Sequence, residues 1–326
     1  LLNVPCTSLA TPAEITGYEG AVSAVPTAAL AAGDLADAAN QLPGSDYIRE
    51  AGGIDCIWSA SASPVDHYTT STDGVPANIE ISVQFNAAHA WSLYTPGLGV
   101  SGDEGGECDV DIVGGQCLSY HLVGGSTWIN ISTRKAQGSD PNLIENILNT
   151  AVAAVTAAGT PAAPTTPEAG TLALGTQCTD FASTAAVASA VGTSAAVTAS
   201  TPSQGAETGD IPEWFAAQDS LKDHPCIFTT GTTTQAQIAW IPGGAWAWAE
   251  DKTQTLADAP LQALHLTGLG PNDTASIRCA ASDASCIVDL VLGGNWVEAT
   301  VPATSTAASK RSAATAVAQA IVTKLG

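Results

Sequence analysis

Two stretches of the chain carry the same pattern of apolar and polar positions. Residues 117–132 read CLSYHLVGGSTWINIS, and residues 286–300 read CIVDLVLGGNWVEAT. In each, a Gly-Gly pair interrupts an apolar run seven and eight residues after a cysteine, and a tryptophan follows. Two β-patterned runs joined by two glycines predict a hairpin, because the favoured two-residue turn needs φ > 0 at its central positions. After the turn, Trp128, Asn130 and Ser132 alternate with Ile129, Ile131 and Thr133, and Trp296, Glu298 and Thr300 alternate with Val297, Ala299 and Val301. Strand side chains point alternately to opposite faces, so both tryptophans share a face with polar residues. Before the turn, Leu118, Tyr120 and Leu122 form an apolar face without a clean counterpart in the second stretch.

The same reading predicts the other elements. Thr11-Pro12-Ala13-Glu14 opens a helix with proline at its first position. An Ala-rich helix is expected over 29–42, a short strand with Cys56 and Trp58 over 54–59, and a helix over 87–94. Over 78–85, Ile79, Ile81, Val83 and Phe85 alternate with polar neighbours, as in a half-buried strand. Asp140-Pro141 starts a helix with Leu143, Ile144, Ile147, Leu148, Val152 and Val155 on one stripe. Residues 159–170 (GTPAAPTTPEAG), with their three prolines, read as a semi-extended linker. Beyond it come a helix over 184–191, strands at Cys226 and over 235–241, the second hairpin, and a closing helix over 310–325.

The eight cysteines keep register with this order: Cys6, Cys56, Cys108 and Cys117, then Cys178, Cys226, Cys279 and Cys286. The first pair of each set is 50 and 48 residues apart, the last pair nine and seven. This predicts an internal duplication. The expected fold is α+β, with repeats at 1–158 and 171–326 around the linker at 159–170. Each repeat is an antiparallel sheet packed by N- and C-terminal helices and stapled by two disulfides. Four cysteines allow three pairings; the nearly kept spacing favours Cys6–Cys56, Cys108–Cys117, Cys178–Cys226 and Cys279–Cys286. In the chain-entropy treatment the long loops contribute about 4 kcal/mol each and the short ones about 2–3 kcal/mol. Zinc usually takes closer cysteine pairs, which this chain lacks.

Composition then narrows the setting. Disulfides of this density belong to an oxidising compartment. The chain has no methionine, which points to a mature form exported by a removed signal peptide. No apolar run has membrane-spanning length, so no direct membrane insertion is expected. Nine basic residues against 31 acidic ones give a net charge of −22. Such a surface repels nucleic acid and anionic membranes, which excludes both as direct partners.

The candidate chemistry lies in tryptophan. Residues 239–250 (AWIPGGAWAWAE), read as a strand, put Trp246 and Trp248 on one face. Phe85 and Trp91 are six apart, as are Trp240 and Trp246, which aligns Trp246 with Trp91. Trp248 and Trp214 then have no counterpart and are the better ligand candidates. With Trp128, Trp240, Trp246 and Trp296 they form the candidate ligand-binding set, since indoles beside carboxylates hold sugars or cations. Core packing is the competing role of large aromatics. Asp103, Glu104, Glu107, Asp109 and Asp111 read as a solvated acidic loop, because their spacing is not that of an EF-hand. His67, His89, His121, His224 and His265 stand in no metal-binding spacing. No nucleophile elbow, P-loop or dinucleotide fingerprint is present. No metal, cofactor or catalytic activity is expected, although two carboxylates facing one cleft would leave no motif.

Cys6, Leu9-Ala10-Thr11-Pro12-Ala13-Glu14 and Cys56-Ile57-Trp58 resemble a framework of secreted actinobacterial lipoproteins that carry a domain of unknown function. Cys178 and Cys226-Ile227-Phe228 resemble it more loosely. In outline the framework is also similar to the extracellular sensor domains of mycobacterial receptor kinases. The Ala- and Thr-rich, Lys-poor composition resembles that of actinobacterial proteins. The resemblance implies a secreted or cell-envelope, non-catalytic binding protein whose partner is a small molecule, a glycan or an envelope protein. The alternative is a structural subunit of an extracellular layer or filament, with the Trp128 and Trp296 strands as contacts between copies.

Overall fold

The structure is a computed structural model that describes residues 4–19, 44–59, 78–94, 102–109, 116–134, 141–159, 171–201, 217, 221, 225–252 and 260–326. The chain forms two compact units, each with one antiparallel sheet and helices.

The first unit contains β1 (Ile54–Ser59), β2 (Asn78–Gln84), β3 (Glu104–Asp109), β4 (Gln116–Val123) and β5 (Thr127–Arg134), in the spatial order β1-β2-β5-β4-β3. Alternation sorts the central strands. Ile79, Ile81 and Val83 of β2 join Ile129 and Ile131 of β5 in an apolar core. Over them lies α5 (Pro141–Ala158), whose predicted stripe enters the core through Ile144, Ile147 and Val155. The short α1 (Cys6–Leu9) and α2 (Pro12–Glu19) pack on α5. Thr11 and Glu14 close a reciprocal capping box at the start of α2: Thr11 N–H donates to Glu14 Oε2 at 2.8 Å, and Glu14 N–H to Thr11 Oγ1 at 3.2 Å. The Cys6–Cys56 disulfide ties α1 to β1.

The second unit begins with α6 (Cys178–Phe181) and α7 (Thr184–Val191) and ends with α9 (Lys310–Leu325). Its strands are β6 (Thr198–Ser200), β7 (Cys226–Thr230), β8 (Thr233–Ile241), β9 (Gln262–Ala263), β10 (Thr274–Cys279), β11 (Cys286–Leu292) and β12 (Asn295–Val301), ordered β6-β7-β8-β12-β11-β10-β9. Val297, Ala299 and Val301 meet Val288, Leu290 and Leu292 beneath Val317, Ile321 and Val322 of α9. Cys178–Cys226 ties α6 to β7, as Cys6–Cys56 ties α1 to β1. Cys279–Cys286 joins two directly opposed residues of β10 and β11 whose Cα atoms are 4.1 Å apart. Opposed positions of this closeness are non-hydrogen-bonded pairs, where side chains approach best.

Three disulfides are thus present among the described residues, all as the spacing suggested, rather than two per unit. The side chains of Cys108 and Cys117 lie outside the described residues, while their backbones oppose each other across β3 and β4. The acidic segment around Cys108 is not a loop: Glu104–Asp109 is an edge strand paired to β4. Residues 239–250 are not one strand either. β8 stops at Ile241, a turn follows, and Trp246 and Trp248 lie on α8 (Ala245–Asp251). The expected helix over 29–42, most of the linker, Asp111 and Trp214 fall outside the described residues. Among the described residues, no helix is long and apolar enough to cross a membrane.

Both Gly-Gly turns adopt the predicted positive φ: +56° and +68° at Gly124 and Gly125, +52° and +87° at Gly293 and Gly294. Their surroundings differ. A Cβ at Gly124 meets no described atom within 4 Å, whereas one at Gly293 would lie 2.5 Å from Leu172 Cβ. Leu172 N–H donates to Gly293 O at 2.8 Å, and the Asn295 side-chain amide donates to Leu172 O at 2.9 Å. Gly124→Ala should therefore lose only the left-handed-backbone penalty of about 1–2 kcal/mol. Gly293→Ala should lower the melting temperature more, because it also displaces the 171–172 strap. Equal losses by scanning calorimetry would show that the strap does not load the turn.

Candidate functional site

The strand after each glycine turn is buried on both faces. Every residue of β12 is buried, as are Thr127–Thr133 of β5. Trp128 and Trp296 lie on the face away from α5 and α9, sharing it with Asn130 and Ser132 in one unit and with Glu298 and Thr300 in the other. That face is dry as well as polar. Asp55, Glu80, Ser82 and Gln84 line it in the first unit, and Asp289 and Arg278 in the second.

Strand register decides what each indole meets. Two positions beyond the hairpin tryptophan, β5 pairs Asn130 with Tyr120, and β12 pairs Glu298 with Asp289. Tyr120 stands edge-on to Trp128 at 6.4 Å between ring centroids, and Trp128 Nε1 has no acceptor among the described residues. In the second unit, Trp296 Nε1 donates to Asp289 Oδ1 at 3.2 Å. Arg278, from β10, reaches both carboxylates: Nη2 donates to Glu298 Oε2 at 3.2 Å, and Nε lies 3.7 Å from Asp289 Oδ2. Thr300 Oγ1 donates to Glu298 Oε1 at 3.2 Å. Asp289 is 1 % exposed, Glu298 5 % and Arg278 6 %, so two carboxylates share one guanidinium in the interior.

Burial is the largest influence on both acids, because it disfavours the charged form. It raises Asp289 against the pull of Arg278 and the Trp296 bond. Burial, then the negative charge of Asp289, pushes Glu298 up to about 7 despite Arg278 and Thr300.

The predicted ligand residues separate on this frame. Trp240 faces the helices and packs on Phe181 at 4.1 Å between centroids. Trp248 lies 5.4 Å from Trp296, and Trp91, on α4 (Ala88–Tyr94), lies 5.4 Å from Trp128. Gln84 opposes Trp128 and Ile241 opposes Trp296; Trp91 and Trp248 each come seven residues later. Trp248, not Trp246, therefore stands in the second unit where Trp91 stands in the first, two residues from the expected position. Trp248 is buried scaffold, and Trp246 is the partly exposed indole. His121 pairs opposite Glu104, its Nδ1 3.6 Å from Glu104 Oε1.

Sequence reasoning placed Trp296, Glu298 and Thr300 on one face but missed Arg278 and Asp289. The signal was there: opposing Cys279 to Cys286 fixes the β10–β11 register and turns both residues away from the apolar face. Cys279, Cys286 and Asp283 also lie close enough to suggest a metal site. Their chemistry is otherwise used, since the two sulfurs are bonded to each other and Asp283 pairs with Arg311 at 3.3 Å.

Removing one partner of a buried ion cluster typically costs about 3–5 kcal/mol, because a charge is left uncompensated. Arg278→Met should show a loss of that order in urea unfolding at pH 8. The loss should shrink toward pH 5. An acid whose folded value is raised binds its proton more tightly when folded, so it destabilises progressively as pH climbs from about 4.5 to about 7 and fully above that. A pH-independent loss would show that Arg278 does not balance these carboxylates.

Comparison with protein-family models, with curated proteins and with solved structures gives no match to this chain.

Proposed function

We propose that the chain is a non-catalytic binding protein, secreted or cell-envelope associated, built from a duplicated disulfide-stapled domain. One observation carries this reading: the strand order β1-β2-β5-β4-β3 of the first unit recurs as β7-β8-β12-β11-β10 within the second. With it recur a disulfide from a four-residue helix to the first of those strands, and a helix-borne tryptophan on the hairpin tryptophan. Two copies of one scaffold with different polar interiors suit recognition by divergence of the faces rather than of the fold.

The assembly alternative has less support, because Trp128 and Trp296, its expected contacts between copies, are buried at 1 % and 0 % exposure. Trp246 is the indole we assign to a ligand with an apolar or cationic face. Tryptophan emission should shift when soluble β-linked oligosaccharides or tetramethylammonium are titrated in. Trp246→Ala should abolish the shift, while Trp248→Ala should lower the melting temperature by more than Trp246→Ala does. Light scattering should give the single-chain mass of 32.6 kDa at all concentrations. Defined oligomers together with silence from every probe would favour the assembly reading.

A further inference from the structure

The first unit shows that this sheet does not need charge at the position two residues beyond the hairpin tryptophan: Tyr120 faces Asn130 there. The second unit places Asp289 against Glu298. Like charges directly opposed across two strands repel, one guanidinium balances one carboxylate, and an unbalanced charge in a dry interior is costly. Both requirements are met when one of the two carboxyl groups keeps its proton.

We propose that Asp289, Arg278 and Glu298 form a proton-operated switch, in which loss of the one retained proton repositions Trp296 and, through it, the α8 helix that carries Trp248. The mechanical connection is short. Trp296 donates its indole N–H to Asp289 Oδ1 at 3.2 Å, and its ring lies 5.4 Å from that of Trp248. The start of α8 is tied to the same hairpin by Ala245 N–H donating to Gly294 O at 3.1 Å. With the proton present, Arg278 serves one carboxylate and the other remains neutral. When the proton leaves for solvent, both carboxylates draw on Arg278, which stands 3.2 Å from Glu298 and 3.7 Å from Asp289. Any shift of Asp289 toward the guanidinium loosens the indole bond.

The groups on this face come from each neighbouring strand. β10 supplies Arg278, β11 supplies Asp289, and β12 supplies Glu298 with the Thr300 hydroxyl. β8 supplies Gln237, Ala239 and Ile241 opposite β12, none of them titratable. Burial and the charge of Asp289 both oppose ionisation of Glu298 and push its carboxyl up to about 7. The switch does not depend on the binding role proposed above.

Near-ultraviolet circular dichroism and tryptophan emission of the full oxidised chain, followed against pH, test this. A one-proton step centred near the Glu298 value of about 7 is expected. It should be absent in Glu298→Gln, and present with reduced amplitude but the same midpoint in Trp248→Phe. Infrared difference spectra of the unmodified protein need no variant. They should show the carbonyl stretch of a buried protonated carboxyl below the step and its loss above. No step in the unmodified protein, a step that survives Glu298→Gln, or no protonated-carboxyl band would each overturn the switch. If Glu298→Gln does not fold, the infrared band decides alone.

Discussion

Both units depend on a strand that is dehydrated on its two faces, β5 in one and β12 in the other. One face has a simple solution, because Ile129 and Ile131, or Val297 and Ala299, meet helices that are apolar on the facing side. The second face has to bury an indole beside polar side chains, and a buried polar group is costly unless another group satisfies it. This condition reaches outward. It sets what β4 and β11 place opposite, and it draws Arg278 inward from a third strand. It also calls for a helix-borne tryptophan over the hairpin tryptophan in both units.

The two units answer that condition with different chemistry on the same frame. Tyr120 and Asn130 fill the place with neutral groups, whereas Asp289 and Glu298 fill it with acids that require Arg278. A buried ionic cluster is weak support for stability, because desolvation offsets much of the attraction. The neutral Tyr120–Asn130 pair at the corresponding place shows that the strands can be held together there without it.

Much of the fold was legible because period-2 alternation and glycine turns act locally. Ile79, Ile81 and Val83 announced a strand, the Gly-Gly pairs announced both hairpins, and Thr11-Pro12-Ala13-Glu14 announced the start of a helix. Two features were misread for a common reason. Trp246 and Trp248 suit a strand as well as a short helix, and only the pairing of Ile241 with Trp296 shows that β8 has ended before them. The acidic residues near Cys108 suggested solvent and therefore a loop, yet an edge strand satisfies the same preference with one ladder exposed. The cluster at Glu298 was half visible: its own strand disclosed one carboxylate, but the second and the guanidinium come from strands whose alignment rests on long-range pairing.

The strap at the start of the second unit also bears on how the molecule takes tension. Leu172 is fastened to the tip of the β11–β12 hairpin through Gly293 and Asn295, and the next fastening is covalent, at Cys178–Cys226. A pull on the chain upstream of Thr171 is therefore carried first by a few hydrogen bonds at a turn. The bridge at Cys178 then stops it. Only the short stretch between Leu172 and Cys178 can lengthen before the load reaches β7, so a weak link placed ahead of a strong one takes the first extension.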